Sequence, residues 1–272
     1  MTAVYIILAI LGLLFVLYVL SLRGRNRHKL LRKLRKFSYA HRGLHGGGVP
    51  ENSLWAFQLA RDKGYGIELD VHLMRDGQLA VIHDTSLLRT AGEDIRIDEI
   101  TAEELGDFRL EGTEERIPLF SQVLELYRGY APLIVELKSD RGNHALLCQA
   151  VCDLLDSFDG ITYCIESFDP RCVAWLKKNR PDIVRGQLSE NFFKSKGKMA
   201  FILKLIMSLN LTTFLTMPDF IAFRFADRKC FSIWVMRKLW KLQGVSWTLR
   251  TPEEYETACK EGWIPIFENF VP

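Results

Sequence analysis

The chain has 272 residues, 48% of them hydrophobic and 25% charged, which suffices for one (β/α)8 barrel plus an appendage. A net charge of +3 excludes the strongly basic balance of a nucleic-acid binder. The charge is unevenly placed, because no Asp or Glu precedes Glu51.

Residues 2–22 form an uncharged apolar run, long enough to cross a hydrocarbon core of roughly 30 Å. A basic tract follows at once: Arg23, Arg25, Arg27, Lys29, Arg32, Lys33, Arg35 and Lys36. A cleaved signal peptide would carry a positive amino-terminal region and a small-residue cleavage site, and the run has neither. The reading is a single-pass membrane anchor over 1–22 followed by a basic juxtamembrane helix over 23–36. The positive-inside rule then places the remainder on the cytoplasmic side of the cell membrane, with the tract against anionic headgroups. The six cysteines include no C-x-x-C pair and read as small buried hydrophobes in a reducing compartment.

The chemistry concentrates in residues 39–84. Two short apolar runs, 37–40 and 79–82, end directly in His41-Arg42-Gly43 and His83-Asp84. Each histidine is therefore expected at the C-terminal tip of a strand, the end where (β/α) barrels build active sites. Between them, Glu68 and Asp70 alternate with Ile67, Leu69 and Val71, so on a strand both carboxylates share one face. Two like charges side by side are costly unless a cation neutralises them. Mg2+ or Ca2+ suits such oxygen donors better than zinc, which favours His and Cys. Taken alone, the pair could also be two solvent-facing acids on an edge strand. Two histidines beside a metal site suit general acid and general base roles, whereas a lone strand-end histidine is more often structural. Arg42 offers a planar fork for phosphate oxygens. Asp84 either orients a histidine or caps its loop.

This constellation resembles the glycerophosphodiester phosphodiesterase family. The matching residues are His-Arg-Gly at 41–43, Pro-Glu-Asn-Ser at 50–53, Ala56-Phe57, Glu68-x-Asp70-Val71, Asp76-Gly77 and His83-Asp84. The resemblance implies a TIM (β/α)8 barrel over 37–272 with a small insertion after the second strand. It also implies cleavage of glycerol phosphodiesters with a bound divalent cation. Residues 85–117, polar and broken by Gly92, Gly106 and Gly112, fit the insertion, with a helix signal over 98–105 capped at Thr101. In the strand over 132–138, Glu136 and Lys138 share a face, and a surface ion pair would be the default reading. The resemblance instead makes Glu136 the third metal carboxylate and Lys138 a phosphate partner. Glu51 and Asn52 are expected to buttress the His41 loop and the metal ligands. Trp247-Thr248 matches a position at the barrel mouth, where Trp247 either lines the pocket or packs in the core. After the last strand the family usually has Thr-Asp. Here Phe267-Glu268-Asn269 stands there, and Glu268 retains the charge.

The remaining pattern alternates as a barrel requires. Strands are expected over 161–166, 183–188, 219–223, 245–249 and 264–267, with helices over 119–127, 143–158, 171–179, 231–242 and 252–261. Asp169 reads as a helix cap. Residues 190–217 depart from this plan, being apolar and basic with no acid between Glu190 and Asp219. They are either a covered barrel helix with a long loop or an interfacial helix lying on the bilayer. No eighth helix follows the last strand, so a basic helix over 28–36 is expected to cover that flank or the barrel floor.

The functional expectation is metal-dependent hydrolysis of glycerophosphodiesters to glycerol 3-phosphate and an alcohol, with His41 and His83 sharing acid and base duties. The nucleophile is either water or the substrate's own glycerol hydroxyl. Two alternatives stand beside it: lysophospholipase D-type hydrolysis of membrane lysophospholipids, and a catalytically inactive membrane-tethered binding barrel. Against the last, none of His41, Arg42, Glu68, Asp70, His83 and Glu136 is missing. Membrane lipids are expected partners through residues 1–36, with 190–217 as a second candidate contact.

Overall fold

The computed structural model describes residues 1–25, 28–195 and 199–272. Arg27 of the basic tract and positions 196–198 of the 190–217 run lie outside the described residues. The chain opens with α1 (Thr2–Ser21) and a single helical turn, α2 (Leu31–Leu34), then β1 (Tyr39–His41), α3 (Leu54–Asp62) and β2 (Gly66–Leu73). β3 (Leu79–Val81) and α4 (Leu88–Ala91) belong to the insertion. Alternation then runs through α5 (Phe120–Tyr127), β4 (Leu133–Leu137), α6 (His144–Asp156), β5 (Tyr163–Ser167), α7 (Pro170–Asn179) and β6 (Arg185–Ser189). After α8 (Phe201–Ser208), α9 (Thr213–Thr216) and β7 (Phe220–Arg224) come α10 (Phe231–Trp234), β8 (Gln243–Leu249), α11 (Pro252–Lys260) and β9 (Trp263–Phe267). β1 pairs in parallel with both β9 and β2, closing a barrel that contains every strand except β3. This is the TIM barrel.

One apolar cluster fills the space between strands and helices, with Leu69, Val135 and Ile165 facing Phe57, Leu124 and Leu147. A second lies inside the barrel, where Tyr39, Ile134, Val184, Phe220 and Ile264 meet Leu31 and Leu34 from α2. The helical part of the basic segment is thus confined to one turn, and its two leucines plug the barrel floor. Its charges go to the floor as well. Arg25 pairs with Asp219 at 2.6 Å, and Lys33 donates to Thr162 Oγ1 at 2.7 Å, both at the N-terminal ends of strands. The expectation that the tract lies against headgroups fails for these two residues, because buried Asp219 and the strand ends are the stronger partners.

Four other expectations are corrected. Residues 79–82 do not form a barrel strand, because β3 folds back antiparallel on the overlong β2, pairing Val81 with Val71. His83 therefore reaches the mouth along a hairpin arm rather than at a barrel strand's tip. The helix expected over 98–105 is two 3-10 turns, Ile97–Glu99 and Glu104–Asp107. Ile97, Ile100 and Leu105 are drawn into a separate small core with Ile82 and Leu110, and this packing overrides local propensity. Of the cysteines, Cys148, Cys152, Cys164 and Cys172 are buried, but Cys230 is half-buried and Cys259 is exposed on α11. The helix over 231–242 also changes character, since Val235–Leu239 is a π-turn after α10.

The last turns of α1 pack along the barrel flank. Phe15 and Tyr18 meet Phe231, which begins the helix that leaves the mouth end of β7. Further on, Trp240 Nε1 donates to the Val19 carbonyl at 2.8 Å, and Leu22 is fully buried. α1 thus runs from the mouth side toward the floor, with its first thirteen residues lying beyond Phe231 and exposed.

Candidate active site

The first turn of the site depends on left-handed backbone. Arg42 (φ 53°) and Gly43 (φ 82°) reverse the chain after β1. A Cβ at Gly43 would stand 2.7 Å from that of Ala56, so glycine is required there. The turn is tied down on both sides. Arg42 N–H donates to the Glu68 carbonyl at 2.9 Å, and Asn52 N–H donates to the Arg42 carbonyl at 2.9 Å. Ser53 caps α3, accepting from Ala56 N–H at 3.0 Å. The Pro-Glu-Asn-Ser step thereby fixes the His41-Arg42 turn over β2.

Strand register gathers the carboxylates. Asp70 stands opposite Glu136 on β4, which stands opposite Glu166 on β5. Glu68, Asp70, Glu136 and Glu166 are all buried, and ligand oxygens of the first three lie within 4.8 Å of one another. Lys138 Nζ sits 2.9 Å from Asp70 Oδ1 and 2.7 Å from Glu136 Oε1. Arg42 Nε lies 3.3 Å from Asp70 Oδ2, while its Nη1 donates to Glu51 at 3.0 Å. Asn52 Nδ2 donates to Asp70 Oδ2 at 2.8 Å.

The charges do not balance. Burial, then the neighbouring charges of Asp70 and Glu136, pushes the Glu68 carboxyl well above its ordinary range. Burial and Glu136 do the same to Glu166, and burial raises Glu136 to about 7. Asp70 alone is held well below its usual value, where Lys138, His83 and Arg42 overcome its burial. Four buried carboxylates facing one lysine and one arginine leave an excess of negative potential, and a hard divalent cation would relieve it. The all-oxygen donor set of Glu68, Asp70 and Glu136 fits such an ion.

Both histidines present the same ring nitrogen to this cup. His83 Nδ1 lies 2.6 Å from Asp84 Oδ1, and His41 Nδ1 lies 3.3 Å from Glu268 Oε1. A carboxylate at Nδ1 fixes the neutral tautomer with its proton there and turns Nε2 toward the cup. His41 Nε2 is 3.8 Å from Glu68. Desolvation lowers both imidazoles, and His83 falls to about 4. Trp247 is half-buried on the rim, edge-on to Phe168 at 5.5 Å between centroids. Both rings line the cup, which has a volume of about 60 Å3.

The site holds groups that the sequence reading did not single out. Glu166 ends an apolar strand just before Ser-Phe-Asp, a context that reads as a helix start, and only cross-strand register exposes its place. Arg89, on α4 of the insertion, bridges Glu51 at 2.5 Å and Asp84. Glu268, flagged only for keeping its charge, also lies 3.3 Å from His45 and 2.8 Å from Arg250. His41, Arg42, Glu68, Asp70, His83, Glu136 and Lys138 all converge on one cup, with Glu51, Asn52, Asp84 and Trp247 around it.

The model of the glycerophosphoryl diester phosphodiesterase family matches residues 41–271. The chain belongs to that family. Among curated relatives, a glycerophosphodiester phosphodiesterase of Bacillus altitudinis is 44% identical over 110 residues, covering 37% of this chain and 44% of that protein. Lysophospholipase D GDPD1 of Rattus norvegicus is 29% identical over 176 residues, covering 58% of this chain and 53% of that protein. The chain therefore spans about half the length of these relatives. Among solved structures, a phosphodiesterase of Oleispira antarctica in complex with sn-glycerol-3-phosphate superposes with a TM-score of 0.69 at 21% identity, covering 85% of this chain and 92% of that one. The enzyme of Thermotoga maritima gives 0.64 at 23% identity, covering 85% and 93%. These likenesses are evidence for the fold.

Proposed function

We propose that this glycerophosphoryl diester phosphodiesterase family member hydrolyses glycerophosphodiesters to glycerol 3-phosphate and an alcohol. The observation that carries the reading is the cup itself, a buried carboxylate trio beside Lys138 and Arg42, flanked by two carboxylate-backed imidazoles. Glu68, Asp70 and Glu136 would hold Mg2+ or Ca2+, which when bound supplies Lewis-acid polarisation of a phosphoryl oxygen. Arg42 and Lys138 bind the remaining phosphate charge and stabilise its growth in the transition state. One histidine removes the proton from the attacking oxygen, either water or the neighbouring glycerol hydroxyl. As the new P–O bond forms, the bond to the departing alcohol breaks, and the other histidine protonates that oxygen. Attack by the glycerol hydroxyl gives a cyclic phosphodiester, which water then opens to glycerol 3-phosphate with the two histidines exchanging roles. Asp84 and Glu268 orient the two rings. Glu51 and Asn52 steady Arg42 and Asp70. Release of glycerol 3-phosphate from glycerophosphocholine is the assay. His41→Ala and His83→Ala should each slow it by about 10²–10⁴-fold, and retained turnover in either variant would remove that residue from the mechanism.

A membrane setting is part of the same proposal. α1 is twenty residues long and apolar enough to span a bilayer. Its free portion, thirteen residues, is only about 20 Å long at 1.5 Å per residue, short of a core of roughly 30 Å. Exposed Phe231 and Trp234 beside it, with Phe201 and Ile202 at the start of α8, would make up the difference by seating the mouth-side rim in the interface. Barrel and rim then lie on the cytoplasmic side. This setting, with the lysophospholipase D relatives, favours single-chain phospholipids as a second substrate class.

A further inference from the structure

A second cavity of about 530 Å3 adjoins the cup and shares Glu136, Lys138 and Phe168 with it. Away from those shared residues Ser139, Ser167, Asp169 and Arg171 border it on the strand side, and the side facing α8 is apolar. Leu203 and Met207, four residues apart on one face of α8, form the outer wall, with Met199 just before the helix beside them. Phe192 also lines the cavity, and its ring meets Phe168 edge-on at 6.2 Å. The wall is anchored, since Phe192 N–H donates to Ser208 Oγ at 3.0 Å at the end of α8. Beyond that wall α8 is open. Leu203, which lines the cavity, is 44% exposed, and Phe201 and Ile202 are 72% and 62% exposed. The cavity thus joins a cationic, carboxylate-rich end to an apolar edge on the face where α1 leaves the barrel.

We propose that this groove holds the acyl chain of a single-chain glycerophospholipid whose phosphodiester occupies the cup, the chain entering from the bilayer past Leu203. The proposal rests on the phosphodiesterase reading above and adds the site that takes the acyl chain. A soluble glycerophosphodiester gains nothing from an apolar trough. An acyl chain gains affinity with each methylene it removes from water. Lys138, on the boundary between the two spaces, would meet the phosphate at the point where the chain diverges.

The test uses full-length protein in lipid nanodiscs, with Mg2+ or Ca2+. Its substrates are glycerophosphocholine and a series of short-chain lysophosphatidylcholines kept below their critical micelle concentrations. The groove predicts kcat/KM rising with chain length, by about fourfold for each methylene it buries. Leu203→Trp should fill the trough and Leu203→Glu should place a charge in it. Each should lower the ratio of lysophosphatidylcholine to glycerophosphocholine kcat/KM by about tenfold or more. Using the ratio cancels any general damage to the fold. A flat chain-length series in the unaltered protein, with glycerophosphocholine still cleaved, would overturn the groove and leave the phosphodiesterase reading intact. An unchanged ratio in both variants would overturn it equally. If no substrate is cleaved, the underlying reading falls and the groove with it.

Discussion

At the scale of single residues, the cup keeps charges that cost stability. Glu68 is buried among like charges and its carboxyl is raised, so above the unfolded pKa of a glutamate its ionised form opposes folding. Glu68→Gln should therefore stabilise the cation-free protein by about 1 kcal/mol or more, while abolishing the rise in melting temperature that Mg2+ or Ca2+ gives the unaltered chain. Thermal unfolding with chelator and with cation checks both halves, and a destabilised, still cation-responsive variant would contradict the account. His83 gives a pH dependence. Its folded pKa of about 4 lies below the ordinary 6.5, so between those values the unfolded chain binds more protons. The cation-free protein should lose stability as pH falls through that window, and His83→Asn should flatten the slope. A slope unaffected by the substitution would remove His83 from that role. Most of the cup was legible in sequence because its members lie in short motifs with strand parity. Glu166 and Arg89 were not, since one depends on cross-strand register and the other on how the insertion folds back.

Among elements, the barrel's alternation was readable from apolar periodicity, but the hairpin arm carrying His83 was not. An antiparallel return on an overlong strand has the same apolar run as a barrel strand, and only pairing distinguishes them. The insertion's 3-10 turns were likewise hidden, because a small separate core and not local propensity shapes them. The floor plug offers an element-level test. Leu34 is buried among barrel-interior side chains, so Leu34→Ala should cost about 2–4 kcal/mol in unfolding free energy. Chemical denaturation measures it. A cost within experimental error would show that α2 does not close the floor.

For the whole molecule, the geometry links α1 to the mouth. Because α1 descends the flank from mouth to floor, anchoring by its free end would bring the active site toward the membrane and turn the basic floor away from it. Trp234, 57% exposed on the rim, should then be quenched by brominated lipids when the protein is reconstituted, and the quenched signal should drop in Trp234→Phe. Equal quenching in the two proteins would place the rim in water.

The central claim is that the cup cleaves the phosphorus–oxygen bond of a glycerophosphodiester with help from a divalent cation. Mass spectrometry of the products formed in heavy-oxygen water tests it most directly. Full-length protein would be given glycerophosphocholine and lysophosphatidylcholine together, with Mg2+, Ca2+ or chelator, beside His41→Ala. The account predicts glycerol 3-phosphate carrying heavy oxygen on phosphorus, formed only with cation and lost in the variant. Label in the released choline, or equal product from His41→Ala, would contradict it.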